Sequence, residues 1–173
     1  MNSILKRRSI RQYTDEFVSD KHVKKILEAA MSAPSARNAR PWQFIVVRDK
    51  STLKKLSETH INASMVKNAN LAIVVCGDLS KQSHKDYWVL DCSAATENIL
   101  IEVEELGLGA VWVAVYPREE RIKHVRKVFD LPVDIVPLCI IPIGYPAETP
   151  EPRSIRGEPK NRYDELKVHI EKW

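Results

Sequence analysis

Glycine is scarce, five in 173 residues. None of Gly77, Gly107, Gly109, Gly144 or Gly157 opens the G-x-x-x-x-G-K loop that cradles nucleotide phosphates. Gly107-Leu108-Gly109 begins like a dinucleotide fingerprint, but the third glycine position is Trp112. An indole there blocks the close helix–strand packing that the fingerprint needs. H-E-x-x-H and G-x-S-x-G are also absent, which weakens metallo- and serine-hydrolase readings. The three cysteines (Cys76, Cys92, Cys139) are far apart and form no C-x-x-C pair, so neither a disulfide framework nor a zinc ribbon is expected. No window approaches eighteen uninterrupted apolar residues, and none is expected to cross a membrane. The first eight residues lack the apolar stretch and cleavage site of a secretory signal, so the cytoplasm is the expected location.

What remains is 44% hydrophobic and 29% charged, the composition of one globular domain spanning 1–173. The net charge of +4 is unevenly placed. Residues 1–60 carry a balance of +7 and the remainder −3. The N-terminal third therefore suits an anionic partner. The acidic remainder and the lack of an aromatic-rich basic face argue against nucleic acid.

Ser19 caps an expected helix over 20–32, in which Val23, Ile26, Leu27, Ala30 and Met31 make one apolar face ending before Pro34. Residues 43–48 are rich in β-branched side chains and predict a strand. Leu53 and Leu56 anchor a short helix. Residues 71–76 are apolar throughout, as in a strand covered on both faces. The longest helix is expected over 86–106, with Cys92, Ala95, Ile99 and Val103 in a stripe and Gly107 as its left-handed stop. Residues 109–115 and 136–143 read as further strands. Between them Pro117 would open a helix running to Phe129. Strands mixed with helices place the fold in the α+β or α/β class, in three layers.

Four segments could carry chemistry. Lys6-Arg7-Arg8-Ser9-Ile10-Arg11 offers several guanidinium forks and a hydroxyl to one phosphate, although a solvated basic patch would read the same. In Ala33-Pro34-Ser35-Ala36-Arg37-Asn38-Ala39-Arg40-Pro41-Trp42, two prolines fix a loop bearing a hydroxyl and an amide, groups suited to a heteroaromatic edge. Leu106 to Tyr116 combines small residues that let a backbone approach a flat ligand. Lys160-Asn161-Arg162 points two cations to one side of an extended tail. The five histidines show no metal-ligand spacing. Asp91 and Glu97 on the long helix are expected at the surface or paired with basic residues.

In this order the segments resemble the nitroreductase family of flavin enzymes, from Arg7 to Trp173. The motifs are Arg-Arg-Ser-Ile-Arg, Ala-Pro-Ser-x-x-Asn-x-x-Pro-Trp, Gly-Leu-Gly-x-x-Trp, Ile-Pro-Ile-Gly-Tyr-Pro-Ala-Glu and Arg-Tyr-Asp-Glu. The resemblance implies an α+β three-layer α/β/α sandwich, with a mixed, mainly antiparallel sheet flanked by helices. It implies an intertwined homodimer, contacting through the long helix, with FMN at the interface and NAD(P)H as co-substrate. Arg7, Arg8, Ser9 and Arg11, joined by Lys160 and Arg162, would hold the phosphate and ribityl end. Pro34, Ser35, Ala36 and Asn38 would line the flavin from the other subunit. Asn62 would reach its pyrimidine edge, and the backbone at Ala114 and Val115 its reactive nitrogen. The implied activity is ping-pong hydride transfer from NAD(P)H through flavin to an organic acceptor such as a nitroaromatic or quinone. The alternative is a flavin-binding storage or sensing protein without turnover. Ala36, Arg40, Ala114 and Val115 depart from residues common in relatives, and Arg37 and Arg40 would favour NADPH or an anionic acceptor.

Overall fold

The computed structural model describes residues 3–81, 87–147 and 163–173. The strands are β1 (Trp42–Val47), β2 (Leu71–Asp78), β3 (Gly109–Ala110), β4 (Val113–Ala114) and β5 (Ile135–Gly144). The α-helices are α1 (Ser3–Lys6), α2 (Asp20–Met31), α3 (Lys50–Ser57), α4 (Trp88–Glu105) and α5 (Glu119–Phe129). Short turns of 3-10 type occupy Ala36–Asn38, Ile61–Asn68, Leu79–Lys81 and Glu165–Lys167.

The strands form one antiparallel sheet in the order β1-β2-β5-β3, with β4 also paired to β5. A parallel bridge from Ser9 to Ala110 adds the N-terminal segment to its edge. Because side chains alternate across a strand, the wholly buried β2 feeds two cores. Leu71, Ile73 and Val75 join residues of α2 and α4. Ala72, Val74 and Cys76 join residues of α3, α5 and the 61–68 stretch. Helices therefore cover both faces of the sheet.

Local chemistry explains the helix boundaries. Ser19 Oγ accepts the His22 N–H at 3.2 Å and starts α2. Val23, Ile26 and Ala30 carry its buried stripe. Met31, expected on that face, is exposed, because the stripe at i, i+3, i+7 leaves it about 100° off axis. Asp49 caps α3 by accepting the Thr52 N–H at 2.8 Å. Cys92, Ala95, Ile99 and Val103 are buried along α4, and Gly107 takes φ +71° just past its end.

Two further expectations need correction. The helix after Pro117 begins at Glu119 with Arg118 as its N-cap, so Pro117 lies outside it. The peptide bond between Tyr116 and Pro117 is cis. The strand expected over 109–115 is split into β3 and β4. Both pieces keep one register against β5, with Ala110 opposite Ile143 and Val113 opposite Ile140. Val111 then faces Pro142. Val115 donates its N–H to Leu138 O at 3.0 Å. In the alternation of an antiparallel ladder, this makes 111/142 a pair that would exchange two hydrogen bonds. Pro142 has no N–H to give, so the ladder breaks there.

The three thiols lie inside. Cys92 Sγ contacts Cys76 O at 3.6 Å, and Thr96 Oγ1 lies 3.6 Å from Cys139 Sγ. Burial pushes Cys76 and Cys139 up to about 12, and raises Cys92 as well. Nucleophilic attack requires the thiolate. At pH 8 an aromatic disulfide reagent should titrate none of the three in folded protein and all three in denaturant; rapid native labelling would contradict this packing.

Candidate active site

The basic segment is seated on the free edge of β3. Ile10 donates its N–H to Ala110 O at 2.9 Å. The seat needs a glycine: a Cβ on Gly109 would fall 2.7 Å from Ile10. Tyr13 completes the clamp by donating its hydroxyl to Ile10 O at 2.7 Å. Burial raises the Tyr13 phenol far above its ordinary range, so it stays a donor. Arg7 Nε lies 3.4 Å from Glu97 Oε1 on α4. This is an ion pair without hydrogen-bond alignment, and Nε itself is buried with no hydrogen-bond partner. Arg8 Nη1 donates to the carbonyls of Leu5, Lys6 and Arg7, which ties off α1. Arg11 Nη1 reaches Ser9 O at 3.3 Å, and Ser9 and Arg11 are both exposed.

The Pro34–Trp42 loop docks on the same helix elsewhere. Ala36 donates its N–H to Asp91 Oδ1 at 2.9 Å. Asp91 is 5% exposed. The surface position that the sequence allowed for it is therefore overturned. Ser35 Oγ accepts the Arg40 N–H at 3.0 Å, and Asn38 Oδ1 accepts from Arg40 Nε at 2.8 Å. Arg37, Asn38 and Arg40 all take positive φ, at 53°, 57° and 48°. Such backbone costs energy in residues with side chains, and it persists where surrounding contacts impose it. Pro34, Arg37, Asn38 and Arg40 are exposed, whereas Trp42 is a core residue. Asp91 and Glu97 are six residues apart on α4, which sets them about 120° apart around the helix at 3.6 residues per turn. The cationic segment and the loop therefore approach α4 from different sides.

β4 supplies the third element. Val115 is buried, and its N–H is committed to Leu138. The ladder alternation turns the N–H and C=O of Ala114 away from β5. Arg121 Nη1 meets that carbonyl at 2.9 Å. Four residues separate Ala110, where the cationic segment is anchored, from Ala114. At strand rise this is about 13 Å. Asn62 is exposed, and its N–H bonds His60 Nδ1 at 3.2 Å. Its stretch packs through Ala63 and Val66 into the core that holds Val113 and Val115. Lys160 and Arg162 lie outside the described residues.

Together these elements make a sheet edge with cations at one end and an outward backbone amide at the other. The nitroreductase family profile matches residues 4–76 and 57–145, and this chain belongs to that family of oxidoreductases. A Methanothermobacter thermautotrophicus protein provisionally named NADH dehydrogenase/NAD(P)H nitroreductase is 46% identical over 173 residues, covering 100% of this chain and 87% of its own. The structure of an FMN-dependent nitroreductase from Clostridium difficile R20291 matches with TM-score 0.88 and 36% identity, covering 99% of both chains. A provisionally named nitroreductase from Desulfovibrio desulfuricans, solved in complex with FMN, matches with TM-score 0.75 and 33% identity over 84% of this chain and 85% of its own.

Two substitutions test this geometry. Asp91→Ala removes a buried acceptor and should cost about 1.5–3 kcal/mol in urea unfolding, with faster amide exchange at Ala36. An unchanged exchange rate would show that the loop is held by something else. Gly109→Ala should cost about 1–3 kcal/mol through overpacking against Ile10, and it should raise protease sensitivity around residues 7–11.

Proposed function

We propose that this chain is an FMN-dependent oxidoreductase that passes hydride from NAD(P)H through the flavin to an organic acceptor such as a nitroaromatic or quinone. The observation that carries the reading is the sheet edge: an arginine-rich segment docked at Ala110 and an outward amide at Ala114, about 13 Å apart. The residues fit the group. Arg7 has a buried Nε with no hydrogen-bond partner, and a phosphate oxygen is a matching acceptor. Arg7, Arg8, Ser9 and Arg11 would hold the phosphate and ribityl end, with Lys160 and Arg162 added from the tail. When bound, FMN supplies two-electron chemistry that takes hydride from a nicotinamide and returns it to an acceptor.

The chain's own residues bind and orient. Of the two backbone positions in question, Val115 has already spent its N–H on Leu138. The N–H available to a ring nitrogen is therefore that of Ala114. Fixed cations along the edge favour added negative charge there, without side-chain acids or bases. Asn62 would take the pyrimidine edge.

A homodimer belongs to this reading. The loop bearing Pro34, Ser35, Ala36 and Asn38 meets α4 on a different side from the cationic segment, so lining one flavin with both is easiest from two chains. Exposed Ile4, Leu5 and Leu90, together with Leu166, Val168, Ile170 and Trp173 in the tail, offer apolar surface for such a pairing.

The test uses purified protein. It should sediment as a dimer, carry or take up FMN, and bleach at the flavin band on anaerobic addition of NAD(P)H. Double-reciprocal plots against acceptor should be parallel. Bound FMN that NAD(P)H does not bleach would favour storage or sensing, and failure to bind FMN would refute the reading. Arg7→Ala should weaken FMN binding at least about tenfold, a loss of about 1.4 kcal/mol from one charged hydrogen bond, as read by flavin fluorescence.

A further inference from the structure

Arg121 is left unexplained by the roles above. It sits in the first turn of α5, and its side chain is 24% exposed. Ile122 and Val125 lock that helix into the core shared with Val113 and Val115. The connection back to β4 is short and closed: Arg118 donates its N–H to Val115 O at 3.1 Å. From this base Arg121 reaches back across seven residues and donates Nη1 to Ala114 O at 2.9 Å. Its neighbour Glu120 stays 3.9 Å from Nε and is 72% exposed, so it does little to neutralise the guanidinium. Arg121 Nε is itself buried without a hydrogen-bond partner.

The peptide between Ala114 and Val115 is thus gripped at both ends. Leu138 O holds its N–H from inside the sheet, and Arg121 holds its C=O from the open edge. Ala114 N–H points to that same edge. His60, half-buried, accepts the Asn62 N–H on its Nδ1. Burial lowers the His60 ring, and the Arg121 charge lowers it further. Arg121 therefore touches one segment assigned to the ring, and its charge acts on the histidine that anchors another.

We propose that Arg121 is a positioning residue for the electron-transfer edge: it fixes the Ala114–Val115 peptide and sets a permanent positive charge beside the outward Ala114 N–H. This rests on the reading of β4 as the flavin-facing edge. A guanidinium cannot lose its proton at working pH, so the charge is constant. Held near the ring, a fixed positive charge would favour the negative charge that reduction adds, and the grip on the peptide would keep the Ala114 amide aimed.

The experiment compares Arg121→Gln and Arg121→Lys with wild type as holoenzymes, and uses Arg118→Gln, an exposed arginine at the start of α5, as a charge-matched control. Three quantities are read: the flavin midpoint potential against reference dyes, the anaerobic rate of reduction by NAD(P)H, and amide exchange at Val115 in FMN-free protein. Arg121→Gln should move the potential to more negative values and slow reduction about tenfold. Arg121→Lys should recover most of the potential but not the exchange protection, and Arg118→Gln should match wild type. Wild-type potential and rate in Arg121→Gln, with only a lowered melting temperature, would overturn the proposal by making Arg121 structural. So would an equal shift in Arg118→Gln. If wild type takes up no FMN, the functional reading fails on its own, and Val115 exchange still decides the clamp: faster in Arg121→Gln supports it, unchanged removes it.

Discussion

The antiparallel alternation between β5 and the 109–115 segment decides what this protein can offer a ligand. Every second residue turns its backbone groups toward β5, and the residues between them turn both outward. Ala110 and Ala114 fall in the outward set. One receives the cationic segment, and the other receives Arg121 on its carbonyl while presenting its N–H. A shift of one residue would exchange the two sets. The chemistry of the edge is therefore a property of register before it is a property of any side chain.

α4 is the second organising element, and it works through polar residues on a largely buried helix. Asp91 reaches into the loop after α2, Asn98 donates to Ala29 O at 3.0 Å, Glu97 faces Arg7, and Glu105 meets Ser3. Asp91 and Asn98 are seven residues apart and share a face; Glu97 and Glu105 turn toward the N-terminal segment. One helix thereby sets the positions of two chain segments that are distant in sequence, while its apolar stripe packs on the sheet.

Much of this was legible in the sequence where the signal is local. The Ser19 cap with its following apolar spacing, the unbroken apolar run of β2, and Gly107 after a long helix each act within a few residues. The arginine cluster was legible as cationic, and its motif placed it in a family. What was not legible depends on partners far along the chain. The break at Val111 arises from a proline thirty-one positions later. The buried Asp91 accepts from an amide fifty-five residues earlier. The reason for glycine at position 109 is the Ile10 side chain. Arg121 reads as an ordinary helix-face arginine until the turn after β4 brings it back to Ala114.

Two prolines in the middle strand of a sheet are unusual, and their placement bears on how the chain avoids folding wrongly. Pro137 sits at the irregularity opposite Val75 and Cys76, and Pro142 has its missing donor on the side where the ladder is already interrupted. Sliding the strand by one step would aim those gaps at β2, the most deeply covered neighbour, and strand its carbonyls without donors. Misaligned pairings would lose more than the one ladder position given up at Val111, so the prolines favour a single alignment of the strand.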